Sequence, residues 1–406
     1  MRTFFLLDID CFFASVEMAL HPELRGRPLC IGGARGDRGI VSCPNYEARK
    51  YGVRTAMPLR TAARLLGPDA VFMPGNYHQY DQYAEKVMAI LRDFTPDVEQ
   101  VSVDEAYMDV TGCLHFWGHD PQRMAQAMKD QIQRECALSV SIGIAANKVC
   151  AKIAAGLNKP DGLLMVPPGE EKAFLVPLPV ELIPGIGVKT FPKLHACGIR
   201  TAGEAMAYAE RMSSTPEALP TTRGSGQSPV LSLCRYIASC AVRCEKAAVF
   251  HPHVEKSISR DRTFSRDTSD PEHIRATLYC LTERCCKTLR QDALTASTVS
   301  VRVRFTNFTT VQKQAVLRAA SSNEEDIFGT AVRLLAQLLA PGILIRLVGV
   351  KVSNLRGTAQ LSLGVTPEEK FNALHRRLDG LQSRYGYATI RWGITCGIAG
   401  RREEHP

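Results

Sequence analysis

From Arg2 to Asp10 the chain reads as a central β-strand that ends in acids: the apolar run FLLDID is followed at once by CFFASVE. A strand this apolar belongs inside a sheet, where an ionised carboxylate is costly to bury without a cation or donors around it. Residues two apart on a strand share a face, so Asp8 and Asp10 point the same way if the strand stays regular. A second acidic strand end follows in EQVSVDEAYMDV, where Asp104 and Glu105 sit between two alternating arms of a hairpin. Neighbours on a strand face opposite sides, so this pair reaches one place only at a turn or a strand start. Any one of these acids alone is more often a solubilising strand-end residue. Together, in apolar surroundings, they form the oxygen-rich cluster that a hard divalent cation such as Mg²⁺ takes. Two such ions suit phosphoryl transfer: one lowers the pKa of an attacking hydroxyl, and both stabilise charge on the attacking and leaving oxygens.

A helix over Phe12–Leu20 closes at His21-Pro22, and its open N-terminal N–H groups offer an anion site beside Asp8. Strands are expected at Arg27–Ile31 and Gly39–Ser42, then short helices at Asn45–Tyr51 and Pro58–Leu66, and a longer one at Tyr80–Phe94. Helices at Pro121–Cys136 and Lys148–Leu157 flank a strand at Ser139–Ile144, and Gly162–Val166 is again a strand. Alternation of this kind builds a sheet with helices packed on it. A small helical unit contains IPGIGVKTF, whose Gly185 and Gly187 leave backbone N–H groups open to a phosphate, as in a helix-hairpin-helix that grips a DNA backbone. The stretch Ser213–Ser228 is rich in Ser, Thr, Pro and Gly and reads as a loop. From Lys256 to Leu355 the order is strand, helix, strand, strand, helix, strand, a split β-α-β sandwich with helices on one face.

Charge and phosphate chemistry agree with an anionic partner. The chain of 406 residues carries 50 Lys+Arg against 41 Asp+Glu, a net charge of +9. Between Glu255 and Arg356 there are 16 basic and 10 acidic residues, so +6 of that excess falls in the last sandwich. There Val299, Val301, Val303 and Phe305 alternate with Ser300, Arg302 and Arg304, and Lys256, Arg260 and Arg262 share one side of their strand. In NYEARKYG, Tyr46 and Arg49 lie three apart on one helix face, a phenol and a guanidinium that can hydrogen-bond a triphosphate, although a solvated face is the blander reading. Lys159 has the same ambiguity, and Phe13 reads equally as core packing or as a wall of the anion site. The 14 cysteines include no Cys-x-x-Cys pair, which favours reduced, buried thiols. Asp8 and Asp10 cut short any signal-peptide run, and no stretch reaches the roughly 18 apolar residues of a membrane span. A cytoplasmic protein without a membrane partner is expected.

Taken together, DIDCFFASVE, NYEARKYGVRTAMP, SVDEAYMDVT, SIGIAANKVCAKIAAGLNKPDG, IPGIG and KSISRDRTF resemble the Y-family DNA polymerases, within them the bacterial DNA polymerase IV group, over Met1 to about Leu363. The resemblance implies an α+β, multidomain right-hand polymerase. Its parts would be a ferredoxin-like palm (1–22 and 75–166), small fingers (23–74) and a helical thumb with the helix-hairpin-helix (167–245). A linker (246–255), a βαββαβ little finger (256–356) and a tail (357–406) would follow. It implies low-fidelity copying past damaged templates without proofreading, by a monomer that binds primer–template DNA and dNTPs. By position, Asp8, Asp104 and Glu105 match the carboxylates that hold two Mg²⁺ ions, with the Ile9 carbonyl as a further ligand. Phe12 and Phe13 match nucleotide-site residues, Phe13 being the steric gate against a ribose 2′-OH. Tyr46, Arg49 and Lys159 match triphosphate binders. Gly185, Gly187, Lys189, Lys256, Arg260, Arg262, Arg302 and Arg304 are the DNA-contact candidates. Gln360, Leu361 and Leu363 resemble a sliding-clamp binding peptide, followed by an amphipathic helix over Pro367–Gln382 (Phe371, Leu374, Leu378, Leu381) whose role the sequence does not give. Asp10, matched to no metal, is expected to be structural. Two other readings stay open: a non-catalytic DNA-binding relative, and a nucleotide cyclase on a similar palm, which leaves the hairpin and the basic sandwich unexplained.

Overall fold

The computed structural model describes residues 2–214, 229–242, 255–357, 367–386, 389–390 and 393–395. Gln360, Leu361 and Leu363, the expected linker before Glu255 and nearly all of the Ser213–Ser228 loop lie outside the described residues. The chain divides into two compact units between His251 and Pro252.

The first unit is built on β1 (Phe4–Ile9), which lies in the middle of a five-stranded sheet. Its remaining strands and helices follow as α1 (Phe12–Leu20), β2 (Leu29–Ile31), β3 (Cys43–Pro44), α2 (Tyr46–Lys50), α3 (Leu59–Leu65), β4 (Val71–Met73), α4 (Tyr77–Phe94), β5 (Val98–Gln100) and β6 (Glu105–Asp109). Then come α5 (Pro121–Cys136), β7 (Val140–Ala145), α6 (Lys148–Leu157) and β8 (Leu163–Met165). The large sheet runs β5-β6-β1-β7-β8, with β1 antiparallel to both neighbours. Phe5, Leu7 and Ile9 pack with the apolar faces of α4 and α5, whereas Leu6 packs with α6, so both faces of β1 are covered. That explains its unbroken apolar run. Gly143 of β7 is required by α6: a Cβ there would stand 2.0 Å from the Ala151 carbonyl oxygen and 2.4 Å from the Ala155 nitrogen. A small sheet, β3-β2-β4, carries α2 and α3. The strand expected at Gly39–Ser42 begins instead at Cys43, because Val41 and Leu59 spend their N–H groups on a bridge between this segment and the start of α3. The helices α7 (Glu171–Leu175), α8 (Phe191–His195), α9 (Ala202–Ser214) and α10 (Pro229–Val242) complete the unit.

The second unit runs β9 (Ser257–Thr268), α11 (Pro271–Gln291), β10 (Leu294–Phe305), β11 (Thr310–Ser321), α12 (Glu324–Ala336), β12 (Ile345–Gly357) and α13 (Pro367–Tyr385). The sheet order β11-β10-β12-β9 interleaves two split β-α-β crossovers, and Val299, Val301, Val303, Val348 and Val350 bury the face under α11 and α12. Register bears out that Arg260 and Arg262 share one side of β9 and shows which side it is. Arg260 aligns with Val350 and Val301, and Arg262 with Val348 and Val303, so both arginines belong to the helix-covered face. Arg260 reaches Thr288 of α11. Arg302 aligns with Gly349 and Asp261 on the opposite face, where its guanidinium donates to Asp261 at 2.9 Å. Arg260 and Arg262 thus lie on the opposite sheet face from Arg302 and Arg304, because paired residues on adjacent strands share a face and these pairs are out of phase.

The tail helix α13 is bound by a buried polar cluster. Arg290 of α11 donates to both carboxylate oxygens of Asp379 at 2.7 and 3.0 Å and to Glu324 of α12 at 2.7 Å. His375 Nδ1 lies 3.2 Å from the second Glu324 oxygen, and Gln382 donates to Glu283 at 3.2 Å. Burial works to raise the Glu324 pKa, but the His375 hydrogen bond and the Arg290 guanidinium outweigh it and hold the carboxyl below its ordinary value. The face of α13 that is buried therefore carries His375, Asp379 and Gln382, while Leu374 and Leu381 remain 48% and 42% exposed.

Candidate active site

At the end of β1, Asp8 lies across the ladder from Glu105 on one side and from Ser141 on the other. The Ile9 N–H donates to the Asp104 carbonyl at 2.9 Å, and Ser102 Oγ donates to Asp104 Oδ1 at 2.5 Å. Asp104 is thereby held in the turn while Glu105 opens β6, the one placement in which adjacent residues can approach the same point. Burial pushes the Asp8 pKa up, the Lys159 ammonium opposes it, and the neighbouring Asp104 and Glu105 charges add to the rise.

Among the described residues no three His, Cys, Asp or Glu side chains already form a metal-binding group. Each inner carboxylate is drawn to a lysine: Lys159 pairs with Asp8, and Lys152 of α6 donates to Glu105 at 2.6 and 2.8 Å. The donor set nevertheless fits a hard divalent cation, being carboxylate oxygens on two adjacent strand ends whose charge now calls in two ammonium groups.

The site opens into a pocket of about 220 Å³ lined by Asp8, Ile9, Cys11, Phe12, Phe13, Ser42, Cys43, Arg49, Thr55, Asp104 and Lys159. The α1 N-terminus borders it, with Cys11 at φ 38° as the cap and no capping side chain. Burial pushes the Cys43 thiol up, against the backbone N–H groups of Ala14 and Phe13 and the Arg49 guanidinium, so the sulfur stands at the α1 N-terminus as a neutral thiol. Phe13 stacks on Tyr80 with ring centroids 4.5 Å apart and meets Tyr77 edge-on at 5.6 Å. Tyr80, 1% exposed, donates its hydroxyl to the buried Glu17 at 2.6 Å. The gate candidate therefore rests on a fixed aromatic wall.

Tyr46 and Arg49 are placed by a residue the sequence reading passed over. Asn45 Oδ1 accepts from the N–H groups of Ala48 and Leu29, at 2.9 and 3.0 Å, capping α2 and locking it to β2 at once. The Arg49 guanidinium lies 5.2 Å from the Tyr46 ring and donates to the Pro44 carbonyl. Tyr46 itself does not line the pocket; its hydroxyl donates to Asp10 at 3.3 Å. Lys152 and Ser102 were missed because nothing local marks them. For Asn45, an Asn before a short helix was the available signal.

Apart from this site, Gly185, Gly187 and Lys189 are exposed on the hairpin, with Gly185 at φ 88°, a conformation that favours glycine. Lys256 is exposed just before β9. A larger cavity, about 550 Å³, lies between α6 and residues 181–187. Its walls are mostly apolar, and it contains none of the three carboxylates.

Comparison with known proteins shows the family. Residues 7–156 match the impB/mucB/samB family and residues 255–363 match the C-terminal domain of that family. DNA polymerase IV of Dehalococcoides mccartyi is 37% identical over 391 residues, covering 96% of this chain and 96% of that protein. DNA polymerase IV of Desulfatibacillum aliphaticivorans is 34% identical over 389 residues, covering 95% and 94%. Among solved structures, the Y-family DNA polymerase chimera Dbh-Dpo4(243-245)-Dbh is similar with a TM-score of 0.75 at 26% identity, covering 87% of this chain and 99% of that one. DinB from Sulfolobus solfataricus is similar with a TM-score of 0.53 at 26% identity, covering 86% and 98%.

Proposed function

The chain belongs to the impB/mucB/samB family, the Y-family DNA polymerases, and is a template-directed DNA polymerase of the translesion type; from that premise we propose how its residues carry the reaction. Asp8, Asp104 and Glu105 hold the catalytic metal, two Mg²⁺ ions, with the Ile9 carbonyl as a further ligand. When bound, the ions lower the pKa of the primer 3′-hydroxyl and stabilise charge on the attacking and leaving oxygens. The observation that supports this most is the placement of Asp8 directly across from Glu105, together with the pocket that Asp8 and Asp104 line with Arg49, Lys159 and Phe13.

Lys159 and Arg49 take the triphosphate. Lys159 lies on Asp8 in the pocket, where its ammonium would serve a phosphate oxygen of an incoming dNTP. Arg49 offers a fork suited to bidentate phosphate contact, and Tyr46 adds a hydroxyl donor. Phe12 backs the nucleotide and Phe13 meets its sugar; because Tyr80 and Tyr77 hold the Phe13 ring, a 2′-hydroxyl meets a wall that does not yield. The hairpin at Gly185, Gly187 and Lys189, the exposed Lys256 ahead of β9, and Arg302 and Arg304 on the sheet face away from the helices contact the DNA backbone without reading sequence.

Gln360, Leu361 and Leu363 bind a sliding clamp, and the protein acts as a cytoplasmic monomer. No helix among the described residues is long and apolar enough to cross a membrane. The test is primer extension with dNTPs and Mg²⁺: the chain extends a primer and Asp104→Ala abolishes extension. Equal extension by Asp104→Ala refutes the site. Binding of primer–template without any extension by the unmodified chain supports the non-catalytic reading instead.

A further inference from the structure

Asp10 is the most heavily satisfied carboxylate beside the site. It is 1% exposed and continues the β1–β7 ladder, its N–H donating to the Ser139 carbonyl at 3.0 Å. Its two oxygens accept four hydrogen bonds, two apiece. Oδ2 receives Ser139 Oγ at 2.6 Å and the Asp161 N–H at 2.8 Å; Oδ1 receives Ser141 Oγ at 2.9 Å and the Tyr46 hydroxyl at 3.3 Å. All four donors are neutral, and they fill the roughly four lone-pair sites of a carboxylate. Such a group has no acceptor capacity left for a metal, which explains why Asp8 and Asp10, alike in strand parity, differ in role.

The four donors come from separate parts of the site. Tyr46 opens α2, Ser139 and Ser141 belong to β7 and its approach, and Asp161 lies two residues after Lys159. We propose that Asp10 is a positioning residue for the nucleotide, its buried carboxylate tying Tyr46 of α2 to the Lys159–Asp161 turn so that both arms stand ready at the triphosphate site. The proposal rests on the reading of Tyr46 and Lys159 as triphosphate binders. The Tyr46 contact is the longest of the four and the cheapest to give up. Its single proton serves either Asp10 or a phosphate oxygen, so Asp10 parks the phenol until the nucleotide arrives, while the other three donors keep the carboxylate in place. The turn has a second anchor in Lys129, whose Nζ donates to the carbonyls of Val140, Asp161 and Gly162 at 3.1, 2.5 and 3.2 Å. Loss of the Asp10 charge therefore alters the turn without detaching it.

Asp10→Asn tests this with little change in shape. The rigid Asp161 N–H claims the one remaining oxygen, and the new NH₂ group faces Ser141 and Tyr46, reversing the polarity of that contact. Steady-state extension is measured at saturating primer–template and Mg²⁺ with dNTP varied, for the unmodified chain, Asp10→Asn, Tyr46→Phe, Lys159→Ala and the Asp10→Asn/Tyr46→Phe pair. Asp10→Asn raises KM for dNTP by about 5-fold or more with kcat within about 2-fold, the signature of lost ground-state binding. In the Tyr46→Phe background its effect shrinks, as expected for coupled residues. A fall in kcat or melting temperature with KM unchanged, or full additivity in the pair, overturns the proposal. If Tyr46→Phe and Lys159→Ala leave KM unchanged, the triphosphate assignment itself fails and this inference with it. If they raise KM and Asp10→Asn does not, only the inference fails. Should Asp10→Asn not fold, Ser139→Ala removes one donor at unchanged charge and raises KM by about 2-fold in the same direction; an unchanged KM there counts against the proposal.

Discussion

Replacing Arg290 by Met isolates what holds α13 on the second unit. The Arg290 side chain is 4% exposed and makes three hydrogen bonds to two carboxylates, Asp379 at 14% and Glu324 at 2% exposure. Met fills much of the volume of the arginine stem, so packing changes little and the loss is electrostatic. Removing one partner of a buried ion pair costs about 3–5 kcal/mol, because the charge left behind stays desolvated. Two features lower that here: Glu324 keeps His375, and Asp379 regains water if α13 lifts off. We expect about 3 kcal/mol, taken mainly as release of α13, which corresponds to a roughly 100-fold loss of amide exchange protection in that helix. Hydrogen exchange of the full chain at neutral pH reads this directly, with α11 and β10 as internal references that stay protected. Acid gives the same result by another route. Glu324 titrates below its ordinary value of 4.5, so its contribution is complete above that pH and is lost as pH falls through the lower folded-state value. Unchanged α13 protection in Arg290→Met at neutral pH refutes the claim that this cluster anchors the helix.

Two further outcomes follow from the site. Phe13→Val leaves a gap against Tyr80 and raises ribonucleotide incorporation by roughly 10-fold or more relative to deoxyribonucleotide, within the range that a change of pocket shape supplies; unchanged sugar selectivity removes the gate assignment. Lys152→Met takes the ammonium from Glu105 and, at about 1 kcal/mol for a pair whose lysine is 41% exposed, lowers the Mg²⁺ concentration for half-maximal extension by roughly 5-fold. A higher Mg²⁺ requirement shows instead that Lys152 supports the bound state.

Helix starts were legible at several local caps, though α4, expected from Tyr80, begins at Tyr77 after its Asn76 cap. Pro121–Cys136, Lys148–Leu157 and Pro271–Gln291 begin after Asp120, Asn147 and Asp270, whose side chains accept first-turn N–H groups. The three carboxylates stood out because acids ending two strands of apolar sequence call for an explanation together, where any one alone does not. Their lysine partners were not, since Lys152 reaches Glu105 across 47 positions. Strand parity placed Arg260 and Arg262 together, but only the pairing with Val350 and Val348 showed that their side of β9 is the helix-covered one. An apolar stripe ordinarily marks the buried face of a helix; α13 departs from this because Arg290, Glu324 and Glu283, remote in sequence, supply polar partners that the pattern does not contain.

The sequence by itself determined that the two acidic strand ends exist and that β1 is central, because hydrophobic period and acidic breaks are local properties of the chain; the polymerase reading came from the resemblance its motifs carry. Tertiary structure alone showed what surrounds each acid. Asp8 and Asp10 are two residues apart on one strand face, yet Asp8 meets Lys159 and the pocket, while Ser139, Ser141, Asp161 and Tyr46 converge on Asp10. A carboxylate takes its role from the donors around it, and those donors are brought in from up to 151 positions away.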